Sequence, residues 1–442
     1  MFIMRLRPLL LILLAFVALL PLNGCQKATT PTEAAALQAA ATDTTAYTLP
    51  PDKLAKADAL AHTRTAVHFT EDIWGILQLW LILQFGLAAR MRNLANNLSK
   101  NRWAQGFTFL LQFLILTTIL NLPLTLYAHH VAVVYGMSVQ HLSSFLFDEF
   151  KGFLLTYLFG GLGVMLLFYF IRKFPRRWWI PSALAAMALG VLGIFATPYI
   201  IDPLFNRFEP LSASNPALVA QLEKVVARGQ GINIPPDRMF LMKASDKVTT
   251  LNAYVTGFGS SKRVVVWDTS IAKGTPEEIS FIFGHEMGHY VLGHIVQGLE
   301  FGFAMIAVGF FIAVHLFQFI LRHKAKAWRV HSQDNWAALV VLLFVFSILS
   351  FIGEPIGNTF SRSEEHAADV YGEEVVHGLI PDPQATAHQS FQLLGENSFT
   401  DPNPSALLEF WTYSHPSISH RAAFAERYDP WAPGAQPKYF SK

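Results

Sequence analysis

The sequence predicts a mainly α-helical, polytopic membrane protein that carries a small α+β core outside the bilayer. Three observations lead there. First, 52% of the 442 residues are apolar and only 14% are charged, against roughly a quarter charged in soluble domains. Second, apolar stretches recur at about 73–89, 103–127, 152–171, 178–201, 298–321 and 336–354. Each is near the ~20 residues that a helix needs to cross a hydrocarbon core. Third, two long polar segments, 202–297 and 355–442, fall outside every such stretch. This composition excludes disorder as the main state, since disordered chains are polar and charge-rich. A formal net charge of +2 gives no basis for a nucleic-acid-binding face, so no nucleic acid is expected as a partner. The lone cysteine, Cys25, excludes a disulfide framework and a cysteine-rich metal site.

At the N-terminus, Arg5 and Arg7 precede an apolar run that ends in Leu22-Asn23-Gly24-Cys25. The run has the length of a signal-peptide core, and its end resembles a lipobox, in which the cysteine is lipidated. An uncleaved first membrane helix (1–25) is the other reading, and both place Cys25 on the outer side of the membrane. Residues 26–72, rich in Ala and Thr at their start, are expected to form an exported tether.

The loops between spans set the orientation. Segment 90–102 carries Arg90, Arg92, Lys100 and Arg102; 172–177 carries Arg172, Lys173, Arg176 and Arg177; 322–329 carries Arg322, Lys324, Lys326 and Arg329. By contrast, 128–151 has a single basic residue, Lys151. The positive-inside rule places the three basic loops in the cytoplasm. The expected organisation is four spans over 73–201, a polar core over 202–297, two spans over 298–354, and a second part of the core over 355–442, with both polar parts outside. Trp178 and Trp179 are expected as interface anchors. Glu300 and His315, inside an apolar span, are expected to face protein or water.

The chemistry concentrates in His285-Glu286-Met287-Gly288-His289. Thr275, followed by Pro276, Glu277 and Glu278, is an N-cap signal for a helix over this segment. Positions i and i+4 of a helix share a face, so His285 and His289 can present two imidazole nitrogens to one cation. Zn²⁺ accepts such ligands and, in catalytic sites, leaves a position open for water. Glu286 can then take that water's proton as a general base. His294, five residues past His289, falls off the ligand face and is expected as a structural or outer group. A third ligand is still required. Segment 355–369 reads as a helix entering the site from the membrane side, and Glu365 and Asp369 lie at i and i+4. One can bind the metal while the other holds a ligand histidine through its second nitrogen. Glu364 is expected on a solvated face.

Five separated blocks resemble the CAAX prenyl protease type 1 family of integral-membrane zinc metalloproteases: PLFNRFEPL (203–211), NAYVTGF (252–258), KRVVVWDT (262–269), the helix with His285 and His289, and Ser361–Asp369. The core strands are expected near 238–243 and 263–268, and the resemblance implies that the core is zincin-like. It also implies a ring of helices around a water-filled chamber with the site at its mouth. It implies zinc at His285, His289 and Glu365, catalysis by Glu286, and a cleft-lining strand at Asn252 and Tyr254. Ser414-His415-Pro416 and Arg421 resemble the segment that bears a His and an Arg near the scissile carbonyl, where they could steady an oxyanion. His366 departs from the aromatic residue usual after the zinc glutamate.

The expected activity is that of a zinc metalloendopeptidase (one Zn²⁺ per chain) acting on peptide or protein substrates at a lipid bilayer. If Cys25 marks a bacterial lipoprotein and the core faces the periplasm, no prenylated cytosolic protein reaches it. Membrane-associated or unfolded peptides are then the expected substrates. A heat-shock-type membrane protease with about four spans and a metal-binding scaffold without catalysis are the alternatives.

Overall fold

The computed structural model describes residues 27–440 apart from 42, 44, 230–233 and 258–261. Cys25, the lipobox and the apolar run before them lie outside the described residues. Helix α1 (Pro31–Ala40) opens on a capping box in which Thr30 and Glu33 satisfy each other's backbone N–H groups. Helix α2 (Pro51–Gln84) meets α3 (Leu87–Leu98) at a 63° bend. Gly86, at φ 66°, occupies the left-handed conformation that the bend requires. Then come α4 (Arg102–Val134), α5 (Leu142–Lys173) and α6 (Trp179–Phe205), the last two each interrupted by one π-helical turn.

The extramembrane core begins with β1 (Phe208–Pro210), α7 (Pro216–Arg228), β2 (Met239–Met242), β3 (Ala253–Thr256) and β4 (Arg263–Trp267). It continues with α8 (Pro276–Val291), followed by α9 (His294–Trp328) and α10 (Ala338–Val376). Helices α11 (Pro383–Ser398), α12 (Ala406–Thr412) and α13 (Ile418–Arg427) close the chain. The sheet order is β1-β2-β4-β3, with β2 and β4 parallel and both outer pairs antiparallel, so β3 is an edge strand.

Five described helices, α4, α5, α6, α9 and α10, are long and apolar enough to cross a membrane, and the bent pair α2–α3 makes a sixth. The basic segments gather at one end. Arg102 pairs with Asp334 at 2.6 Å and stacks over Trp336, while Arg92 donates to the Arg329 carbonyl. Trp178, expected at an interface, is instead fully buried and meets Phe317 edge-to-face. Trp179 is half-buried against Phe311. His315 uses its ring nitrogen on the Phe311 carbonyl of its own helix, and Glu300 is exposed. Bonding within its own helix therefore satisfies Nδ1 of His315.

Residues 26–72 are not a tether where described. Glu33 is buried and pairs with Lys438 at 2.8 Å, also buried, and with His366 at 3.0 Å. Tyr47 is fully buried. The first half of α2 continues past the membrane stretch to the core, where Lys53 meets Glu396 and Arg64 donates to the Ser398 carbonyl. The Ala- and Thr-rich composition hid one buried acid whose partner lies some 400 residues away. Glu33 also explains His366: a polar ring at that position binds the N-terminal helix.

Helix α10, 39 residues long, runs without interruption from the apolar stretch into the extramembrane core. There it crosses α8 at backbone contact. A Cβ on Gly372 would stand 3.0–3.1 Å from the backbone of His285, and one on Gly284 would stand 2.7 Å from Val375. Gly372→Ala is therefore expected to cost about 1–3 kcal/mol by overpacking, read as a lower thermal unfolding temperature in detergent. Gly298→Ala on α9, where a Cβ meets open space, serves as the control. Equal unfolding temperatures for the two variants would contradict this packing.

Candidate metal centre

The helix crossing assembles the site. The Thr275 capping box, with its backbone N–H 2.7 Å from Glu278, starts α8 so that His285, Glu286 and His289 fall in its last turns. The imidazole Nε2 atoms of His285 and His289 stand 3.1 Å apart. Glu365 of α10 reaches both, at 3.3 Å and 3.4 Å. One ligand atom from each of the three residues lies within 4.8 Å of the other two.

The hydrogen bonds around these groups point bare lone pairs at one another. His285 Nδ1 lies 2.8 Å from Asp369, so the imidazole donates there and its Nε2 is left as an acceptor. His289 Nδ1 lies 2.9 Å from Nδ1 of His294, which the left-handed Gly293 swings back toward the site. One carboxylate oxygen of Glu365 is buried without a hydrogen-bond partner among the described residues. Two imidazole acceptors and an orphaned carboxylate oxygen facing one point form a donor set that a cation satisfies. The electrostatics agree. Burial opposes positive charge on His285, but Asp369 and Glu365 outweigh it, so the pocket favours positive charge at this imidazole. A field that favours a proton there also favours a metal.

Glu286 is half-buried beside the triad. Burial raises its carboxyl above the ordinary value, while His285, His289 and the backbone N–H of Val255 on β3 draw it back. The edge strand thus passes directly beside this carboxylate. Ala253 and Val255 pack toward the main core, whereas Tyr254 packs on the opposite sheet face with Val265 and Phe240. There its hydroxyl is pushed up to about 12 by burial and by Asp202. Side-chain alternation along a strand therefore turns Tyr254 away from the metal. Asn252 is exposed, and its backbone is pinned by the Ser270 hydroxyl at 2.8 Å.

Arg421, expected beside the scissile carbonyl, is nine-tenths buried and grips Asp369 in a two-pronged pair at 2.9 Å and 2.7 Å, over the Phe391 ring. Two of its five N–H groups are thus held by the carboxylate that orients His285, and its Nη2 lies 3.8 Å from Glu365. His415 stays half exposed, 3.3 Å from Glu365, and burial holds its imidazole below the ordinary value. Glu364, expected on a solvated face, has one oxygen shut off from solvent. Asn358 and Arg362 were given no role from the sequence. Their side chains donate to the carbonyls of Trp411, Glu409 and Tyr413, fixing the end of α12 just before His415. Their spacing from Glu365 on one helical stripe was the available signal.

Comparison with known proteins bears on family and fold. The sequence profile of peptidase family M48 matches residues 212–429, and that of the CAAX prenyl protease N-terminal region, five membrane helices, matches 34–207. An uncharacterised metalloprotease of Bacillus subtilis, YhfN, is 32% identical over 381 residues, covering 85% of this chain and 86% of the relative. The chain belongs to peptidase family M48. CAAX prenyl protease 1 of Saccharomyces cerevisiae is 25% identical, with 79% of this chain and 80% of that protein covered. The crystal structure of Saccharomyces mikatae Ste24p superposes with a TM-score of 0.71 over 89% of this chain and 94% of the other, at 22% identity, which establishes a shared fold. This M48 protein is therefore an integral-membrane metalloendopeptidase.

Asp369→Asn is expected to lower metal affinity roughly 10- to 100-fold, as loss of an outer carboxylate on a ligand histidine does. Competition against a calibrated chelator measures it, and unchanged affinity would show that Asp369 does not hold His285.

Proposed function

We propose that this M48 enzyme uses zinc, held by His285, His289 and Glu365, to hydrolyse peptide bonds in extended, unprenylated segments on the side of the membrane opposite the basic loops. The observation that carries this reading is the position of Glu286, with the metal-ligating triad beside it and the Val255 N–H of an open strand edge within reach of its carboxylate. The donor set, two imidazoles and a carboxylate, suits Zn²⁺. When bound, the metal supplies Lewis acidity to the peptide carbonyl and acidity to its water.

The chain's own residues do the rest. The free edge of β3 pairs with an extended substrate backbone and lays it across the cleft. Glu286 accepts a proton from the attacking water. It returns that proton to the departing amine nitrogen as the carbon–nitrogen bond breaks and the hydroxyl oxygen stays on the new carboxylate. A neutral His415 donates an N–H to the carbonyl oxygen as negative charge builds there. Arg421 acts at one remove by fixing Asp369, which fixes His285. Strand pairing reads backbone rather than side chains, so it selects unfolded or terminal segments. The clustering of Arg92, Arg102 and Arg329 at the far end from the site supports the orientation.

Glu286→Ala is expected to lose at least ~10² of kcat through loss of the general base while retaining bound zinc. Glu365→Ala is expected to lose the metal itself. Cleavage of a quenched unstructured peptide, with metal quantified in parallel, checks both, and a Glu286→Ala enzyme with full activity would overturn the assignment. For the substrate, kcat/KM on an unmodified peptide is expected to equal or exceed that on its farnesylated counterpart. A hundredfold preference for the farnesylated peptide would place this enzyme among prenyl proteases in function as well as in fold.

A further inference from the structure

A second set of donors lies on the same helix as Glu365. Glu354 sits eleven residues earlier on α10, about 16 Å along the axis at 1.5 Å per residue. It faces His68 and Asp72 of α2, which are i and i+4 on one helical face, as His285 and His289 are on α8. His68 Nε2 lies 3.1 Å from Glu354 and 3.6 Å from Asp72. One nitrogen and two carboxylate oxygens from the three side chains fall within 4.8 Å of one another.

Three further features separate this cluster from an ordinary ion pair. His68 Nε2 is closed off from solvent and makes no well-formed hydrogen bond to either carboxylate. The group borders a cavity of about 440 Å³ whose lining includes His68, Asp72, Glu354 and a third acid, Glu71, but neither lysine nor arginine. A protonated His68 would offset only one of the two facing carboxylates. The cavity also has room for the waters that a three-ligand cation retains. The side chains of Asp72 and Glu354 are 37% and 23% exposed, and two carboxylates this close repel each other unless a cation or a proton sits between them.

We propose that His68, Asp72 and Glu354 bind a second divalent transition cation, of the zinc class, that braces α2 against α10. One imidazole and two carboxylates suit such an ion. The brace joins the helix that continues to the N-terminal part of the core with the helix that carries Glu365. The inference does not rest on the catalytic assignment.

The test uses the full chain in detergent, stripped with a chelator and dialysed against micromolar free Zn²⁺, with metal per chain measured by mass spectrometry. Wild type is expected to hold two equivalents. Glu354→Gln and His68→Gln are each expected to hold one, as is His289→Ala, and the Glu354→Gln/His289→Ala pair close to none. The equivalent retained at His285 and His289 shows that Glu354→Gln is folded, and circular dichroism checks its helix content. One equivalent in wild type that Glu354→Gln leaves in place, or two in Glu354→Gln, overturns the proposal and leaves the acids sharing a proton. A drop in Glu354→Gln with none in His289→Ala would count against the catalytic assignment instead.

Discussion

Everything in the candidate site depends on how closely α8 and α10 approach each other. A metal held by two residues of one helix and one of another needs those helices nearly in backbone contact, and ordinary side chains would hold them apart. Gly284 and Gly288 on α8 and Gly372 on α10 remove that obstacle. The spacing of Gly284 and Gly288 is the small-x₃-small pattern that lets helices pack closely, here interleaved with the metal-binding motif. Two adjacent faces of α8, about 100° apart, thus carry the two sets of residues, ligands toward the cleft and glycines toward α10.

That close crossing brings four charged or titratable groups into one buried line. Glu365 faces the histidines, Asp369 takes the far nitrogen of His285, and Arg421 takes Asp369 in turn. Each member satisfies a group that would otherwise be buried alone, so the line is stable as a whole and costly to interrupt. The same logic recurs at the outer rim. Glu374, fully buried, accepts the backbone N–H groups of Lys438, Tyr439 and Phe440, tying the end of the chain to the metal-bearing helix. Glu33 pairs with Lys438 beside it. The first and last described segments meet behind the site and hold α10 in place.

The legible parts of the sequence were those where the signal is local. Helical spacing brought His285 to His289, and the same local logic brought Glu365 to Asp369. The apolar runs foretold the spans, and the strands near 239–242 and 263–267 lie where they were expected. What was not legible depended on partners far apart in the chain. Arg421 has the chemistry of an oxyanion group, and only the fold shows that two of its donors go to Asp369. Tyr254 lies in the edge strand as expected, and strand alternation turns its side chain to the sheet face away from the metal ligands. Trp178 beside two arginines had the pattern of an interface anchor, yet the crossing with α9 buries it against Phe317. Residues 26–72 looked like a tether because composition weighs Ala and Thr but cannot weigh a single Glu33 with a buried lysine waiting for it.

The most direct measurement is zinc-edge X-ray absorption on the purified protein. It would be recorded in the Glu354→Gln background so that the metal between α8 and α10 dominates the signal. The account predicts a shell of nitrogen and oxygen at about 2.0–2.1 Å, with the scattering pattern of two imidazoles that falls to one in His289→Ala. A spectrum without imidazole scattering, or one that His289→Ala leaves unchanged, would contradict it.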